Sequence, residues 1–129
     1  MADNAKKRVL VVDDANLVRR YYRDALEAAG FAVEEALNGL EALEKLSAAS
    51  VDALVVDVNM PQMDGLTFIE AVRRLDLPVA ATPAVVTSTE CKPQDIAAAR
   101  AAGANFYLVK PVAPDRLSEC VAMLCDMST

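Results

Sequence analysis

The sequence predicts an α/β fold, a doubly wound parallel sheet of five strands with five helices on its faces. Three observations lead there. Short apolar runs rich in Val and Leu, suited to strands buried on both faces, recur along the chain. Each run is followed by a segment with apolar residues at helical spacing, in units of about 20–25 residues, the alternation of a doubly wound sheet. The chain has 129 residues, enough for one core and too few for two.

Residues 8–12, RVLVV, read as a buried strand ending at Asp13-Asp14. Residues 15–29 read as a helix with Val18, Tyr22, Ala25 and Ala29 inward and Gly30 as its stop. Residues 32–36 make a more polar second strand, as suits a sheet edge. Asn38-Gly39 signals a turn, and Leu40, Leu43 and Leu46 place a helix over about 39–48. Asp52 to Asp57 is the central strand, and residues 65–75 a third helix with Leu66, Ile69 and Val72 inward. Residues 76–83 form a loop holding Pro78 and Pro83, followed by a fourth strand at 84–87. Pro93 is a good first residue for a helix running to Gly103. Asn105 to Val109 form the fifth strand, and Pro114 opens a last helix with Leu117, Cys120, Val121 and Leu124 inward. No repeat, linker or low-complexity segment interrupts the pattern, so a single domain with its core over about 7–126 is expected.

Composition excludes several classes. A net charge of −6 argues against nucleic-acid binding, which needs a basic patch. No apolar run approaches a membrane span, and the first residues lack a signal-peptide core. The three cysteines, Cys91, Cys120 and Cys125, include no CxxC and fit a reducing cytoplasm; Cys120 and Cys125 are expected on different faces of one helix. The chain has no histidine, which rules out Ser-His-Asp and Cys-His catalysis within it. Any phosphohistidine must belong to a partner.

Polar residues stand where the strong strands end: Asp13-Asp14, Asp57, Thr87-Ser88 and Lys110-Pro111. In a parallel sheet these ends share one edge, where such folds place ligands. Singly, each reads as a turn residue or cap; together they read as a site. Like charges at about 4 Å repel by on the order of 4 kcal/mol at an effective dielectric near 20. A divalent ion and Lys110 are the groups available to offset this. An all-oxygen set of acids plus a backbone carbonyl suits Mg²⁺. Asp57 is then the nucleophile toward phosphorus, with Thr87 donating to a phosphoryl oxygen and Lys110 pairing first with Asp57 and then with the phosphate.

The run VVDDA, VVDVNMPQMDGL, VVTS and FYLVKP resembles a response-regulator receiver domain of two-component signalling, most closely the CheY-like single-domain kind. The resemblance covers essentially the whole chain. It implies a flavodoxin-like strand order 2-1-3-4-5, Asp57 as phosphoacceptor, Asp14 as direct Mg²⁺ ligand and Asp13 as a ligand through water. It also implies a metal-binding backbone carbonyl at Asn59, Thr87 and Tyr107 as a coupled switch pair, and a cis Lys110-Pro111 bond. The implied phosphodonor is a histidine kinase or histidine phosphotransfer protein, and the output a protein target bound through helix four, strand five and helix five. A cytoplasmic monomer without an output domain is expected, with no enzyme activity beyond self-phosphorylation and autodephosphorylation. Ser88, Thr89 and a one-residue-longer Thr87–Lys110 spacing depart from the family pattern. The extra residue falls most simply in 88–92, beside the output surface. Arg19, Arg20 and Arg23 make a basic face that either dissolves in solvent or docks an acidic phosphodonor. Two competitors are a Mg²⁺-dependent phosphohydrolase and an unphosphorylated scaffold. The first needs an acid where Asn59 stands.

Overall fold

The computed structural model describes residues 6–127. Side chains alternate across its strands, and the apolar runs fill both faces. Val9, Val11, Ala53, Val55 and Val85 enter one core cluster, while Leu10, Val12, Leu54, Val56 and Val86 enter another. The strands are β1 (Arg8–Val12), β2 (Ala32–Ala36), β3 (Ala53–Asp57), β4 (Ala84–Ser88) and β5 (Phe106–Val109). They pair in parallel in the order β2-β1-β3-β4-β5. β1, β3 and β4 are therefore internal, and the more polar β2 lies on an edge as its composition predicts.

The helices are α1 (Asn16–Ala28), α2 (Gly39–Ala48), α3 (Gly65–Arg73), α4 (Pro93–Ala102) and α5 (Pro114–Met127). Tyr22 and Leu26 of α1 and Leu117, Cys120, Val121 and Leu124 of α5 pack on one face. Ala42 and Leu46 of α2, Phe68, Ile69 and Val72 of α3 and Ala99 of α4 cover the other. Each fully buried Leu or Phe contributes about 1.5–3 kcal/mol over an exposed one. Among the described residues no helix is long and apolar enough to cross a membrane.

Local chemistry sets the helix ends. The Asn38 side chain accepts from Glu41 N at 2.8 Å, and Glu41 returns the bond by accepting from Leu37 N at 2.7 Å. Asp64 caps α3 by accepting from Thr67 N at 2.9 Å. Gly103 ends α4 at φ 115°, where a side chain would be strained.

Four expectations change. In α1 the second buried position is Leu26, while Ala29 is exposed; the helix stops at Ala28, so position 29 has left the stripe. In α2 Leu40 is 53% exposed and Ala42 takes the inward place. A Leu-to-Leu spacing of three fits either face of a short helix. α3 ends at Arg73, short of 75, where Arg73 turns to bond the carbonyls of Ala80, Thr82 and Gly103. Cys120 and Cys125 are both buried in the same cluster, because α5 packs at once on α1 and on β3 and β4 and so buries a broad face.

Candidate phosphoryl-transfer site

Alternation carries the core pattern to the carboxyl edge. Val11 and then Asp13, Val55 and then Asp57, Val85 and then Thr87, Leu108 and then Lys110 continue the rows that face α1 and α5. Four strands thus deliver two acids, a hydroxyl and an ammonium to one place. Asp13 is 1% exposed and Asp57 5%, whereas Asp14 beside them is exposed. Lys110 Nζ lies 3.0 Å from Asp57 Oδ1 and 3.3 Å from Asp13 Oδ2. Asp13 Oδ1 accepts from Ala15 N at 2.9 Å, which fixes the carboxylate at the entrance of α1. Carboxylate oxygens of Asp13, Asp14 and Asp57 lie within 4.8 Å of one another.

Three carboxylates against one ammonium leave the cluster electron-rich. Burial pushes the Asp57 carboxyl above its ordinary range; Lys110 pulls it down, and the charges of Asp13 and Asp14 push it further up. Burial alone would lower Lys110, but the hydrogen bond to Asp57 and the charges of Asp13 and Asp57 outweigh it, and the ammonium is held above its ordinary value. The acidic cluster has the hard oxygen donors and the charge deficit that suit a divalent cation.

The loop after β3 is bent tightly against this site. Gly65 N donates to Val58 O at 2.9 Å, and a Cβ on Gly65 would lie 2.2 Å from Asp57 O. Gln62 takes a positive φ of 71° on the way. Asn59 is exposed in this loop, two residues beyond Asp57. The Lys110-Pro111 bond is cis, as the resemblance implies, and Leu77-Pro78 is cis as well.

The two hydroxyl residues sit differently. Thr87 is fully buried and its Oγ1 makes no hydrogen bond among the described residues. Tyr107 packs, half-buried, against the cluster on the opposite face, and its hydroxyl donates to Glu90 O at 2.9 Å. Ser88 accepts from Glu90 N at 3.0 Å through Oγ, so Glu90, in the middle of the loop from Ser88 to Lys92, is held by Ser88 through its N–H and by Tyr107 through its carbonyl.

Of the three arginines on α1, two are engaged within the chain. Arg19 bonds Glu35, Asp13 O and Asn16, and Arg23 bonds Glu35 and Glu27. Arg20 makes no ion pair among the described residues and is exposed. Sequence reasoning missed the Ser88 loop bond, because a serine after a strand reads only as a turn residue. It also missed Tyr22, whose helical spacing reads as core, although it lines a cleft of about 350 Å³ with Lys110, Thr89 and Pro111.

The strand order, with its polar groups gathered on the carboxyl edge, puts the chain in the flavodoxin-like class of α/β proteins. Within that class the match is specific: residues 9–122 fit the response regulator receiver domain, and the chain belongs to that family. It is 40% identical over 114 residues to the chemotaxis protein CheY1 of Helicobacter pylori, covering 87% of this chain and 91% of that protein. It is 41% identical over 115 residues to the transcriptional regulatory protein PrrA of Mycobacterium leprae, covering 89% of this chain but 47% of that longer protein. The structure of Vibrio cholerae chemotaxis protein CheY4 superposes with a TM-score of 0.87 at 37% identity, covering 93% of this chain and 99% of that one. The fold and the receiver-domain role are therefore those of a CheY-like response regulator domain.

Proposed function

We propose that the chain is a phosphorylation-activated switch in which Asp57 accepts a phosphoryl group from the phosphohistidine of a partner kinase or phosphotransfer protein. The observation that carries this is the Lys110 ammonium bridging buried Asp57 and Asp13, with Asp14 alongside. Asp13, Asp14, Asp57 and the Asn59 carbonyl would hold Mg²⁺. When bound, that ion supplies neutralisation of phosphoryl oxygens and alignment for in-line attack.

An Asp57 carboxylate oxygen forms the O–P bond as the N–P bond of the donor breaks, and the leaving imidazole keeps that electron pair. Lys110 passes from the carboxylate to a phosphoryl oxygen, and Thr87 donates its hydroxyl to another. Asn59 has no proton to exchange, and Thr89 offers only a short hydroxyl. Turnover of external phosphate esters is therefore not expected, and activity is limited to self-phosphorylation and autodephosphorylation. Movement of Thr87 pulls on Ser88, whose hydroxyl holds Glu90, whose carbonyl holds Tyr107. Release of Tyr107 changes the surface of α4, β5 and α5, where Phe106 and Val109 are exposed, and a protein target reads the change.

Incubation with acetyl phosphate and Mg²⁺, followed by intact mass, tests the reading. One added phosphoryl group, lost in Asp57→Asn, is expected. No modification, modification surviving Asp57→Asn, or sustained turnover of phosphomonoesters would overturn it.

A further inference from the structure

We propose that Tyr22 is a positioning residue of the phosphoryl site, supplying the hydrogen bond that orients the Thr87 hydroxyl toward Asp57. α1 lies across the sheet face on which Asp13, Asp57, Thr87 and Lys110 project. Tyr22 is 2% exposed and packs in one cluster with Val11, Val85 and Leu108. Those are the strand residues two before Asp13, Thr87 and Lys110. Its ring therefore occupies the layer directly beneath the site, and it opens on the same cleft as Lys110.

The position calls for an apolar residue, and Val or Leu would fill it. A tyrosine adds one hydroxyl on the sheet face toward which Thr87 projects, and the buried Thr87 Oγ1 has no hydrogen-bond partner among the described residues. A buried hydroxyl carries one donor and two acceptor positions, and leaving it unmet is costly. Burial holds the Tyr22 phenol above its ordinary value; Lys110 and the Thr87 hydroxyl pull it down, and Asp13 and Asp57 push it up. The phenol thus feels all four site residues and is a protonated donor at neutral pH. When Thr87 turns its own O–H toward a phosphoryl oxygen, the Tyr22 O–H donates to the lone pairs Thr87 presents behind it. No covalent step involves Tyr22.

This inference rests on the switch function proposed for Asp57, so its test has two readouts. In the full chain, Tyr22→Phe keeps the ring in the core and removes only the hydroxyl. Its rate of modification by acetyl phosphate with Mg²⁺ is expected to fall about three- to tenfold, the worth of one hydrogen bond. In a Thr87→Ala background the same change is expected to have no further effect, since the partner is gone. An undiminished rate in Tyr22→Phe, or an equal loss in both backgrounds, overturns the proposal. Backbone amide shifts of the unphosphorylated protein give the second readout. Tyr22→Phe is expected to move the Thr87 and Lys110 resonances while the melting temperature stays near that of the wild type. Unmoved Thr87 and Lys110 amides overturn the role of Tyr22 by themselves. Failure of the wild type to accept a phosphoryl group instead overturns the function on which it rests.

Discussion

Asp57 works against the fold that holds it. Its carboxyl is raised by burial and by the neighbouring acids, against the pull of Lys110. A group whose folded pKa lies above its unfolded value stabilises the fold below the unfolded pKa. That contribution is lost as pH rises through the folded pKa. At neutral pH the ionised Asp57 is therefore a cost. Asp57→Asn is expected to raise the melting temperature at pH 7 without divalent cation, by roughly 3–5 °C if the repulsion removed is near 1 kcal/mol. Lys110 keeps Asp13 as a partner at 3.3 Å, so the substitution leaves no orphaned ammonium. The advantage should shrink as pH falls through the raised Asp57 value and be gone below the ordinary aspartate range of about 4, where the carboxyl is protonated in the folded and the unfolded chain alike. Thermal melts of both proteins from pH 3 to 8 check this; a wild type more stable than Asp57→Asn at pH 7 would refute the assignment. The neighbouring Asp13 differs in kind, since its Oδ1 is already committed to Ala15 N. Identical residue types in one cluster thus divide into an anchored acid and a destabilised, reactive one.

Between β3 and α3 the demands of the element and of the residue meet at Gly65. α3 can begin directly behind Asp57 only because position 65 has no side chain. Gly65→Ala is expected to cost about 1–3 kcal/mol, as overpacking against backbone does, and to slow Asp57 phosphorylation by shifting its backbone. Chemical denaturation with a parallel phosphorylation assay measures both; an alanine variant of wild-type stability would show that the loop yields. The reason for the glycine was not legible in the sequence, because it is a contact made by folding. The strands were legible almost to the residue: buried parallel strands are continuous apolar runs, and their ends carry the only polar residues in them. Helix faces were less so. Leu40 and Ala29 sit at helical spacing, yet the helices present Ala42 and Leu26 to the sheet. Spacing fixes a stripe and not which of two adjacent stripes meets the core. The Arg19 and Arg23 pairings with Glu35 were not legible, since they depend on β2 lying beside β1. The same holds for Arg73, which gathers carbonyls from three segments distant in sequence.

At the scale of the whole molecule, the parallel topology gives both the site and its electrostatic burden. Each β-α unit returns its strand to the same edge, so any polar strand end joins the others there. Asp13, Asp14 and Asp57 converge for that reason, although they come from two strands separated in sequence by a complete unit. A cation that binds only the folded arrangement must then stabilise the entire chain, because the unfolded chain disperses the acids. The gain follows the logarithm of saturation, about 2.7 kcal/mol at a hundred times the dissociation constant. Mg²⁺ is accordingly expected to raise the melting temperature in a concentration-dependent way, and chelation to reverse it. Asp13→Asn or Asp57→Asn should weaken the response, since each removes a donor. The increment should also fade in acid, where protons compete with the cation for Asp57, whose carboxyl pKa is raised by burial. Melts over a Mg²⁺ series at two pH values, with Ca²⁺ and high NaCl as controls, separate this from general screening. A melting temperature indifferent to Mg²⁺, or one raised equally in the wild type and both variants, would mean that the acids repel one another with no ion to hold them. The proposed switch would then have to work through Lys110 alone, which one positive charge against three negative ones is poorly placed to do.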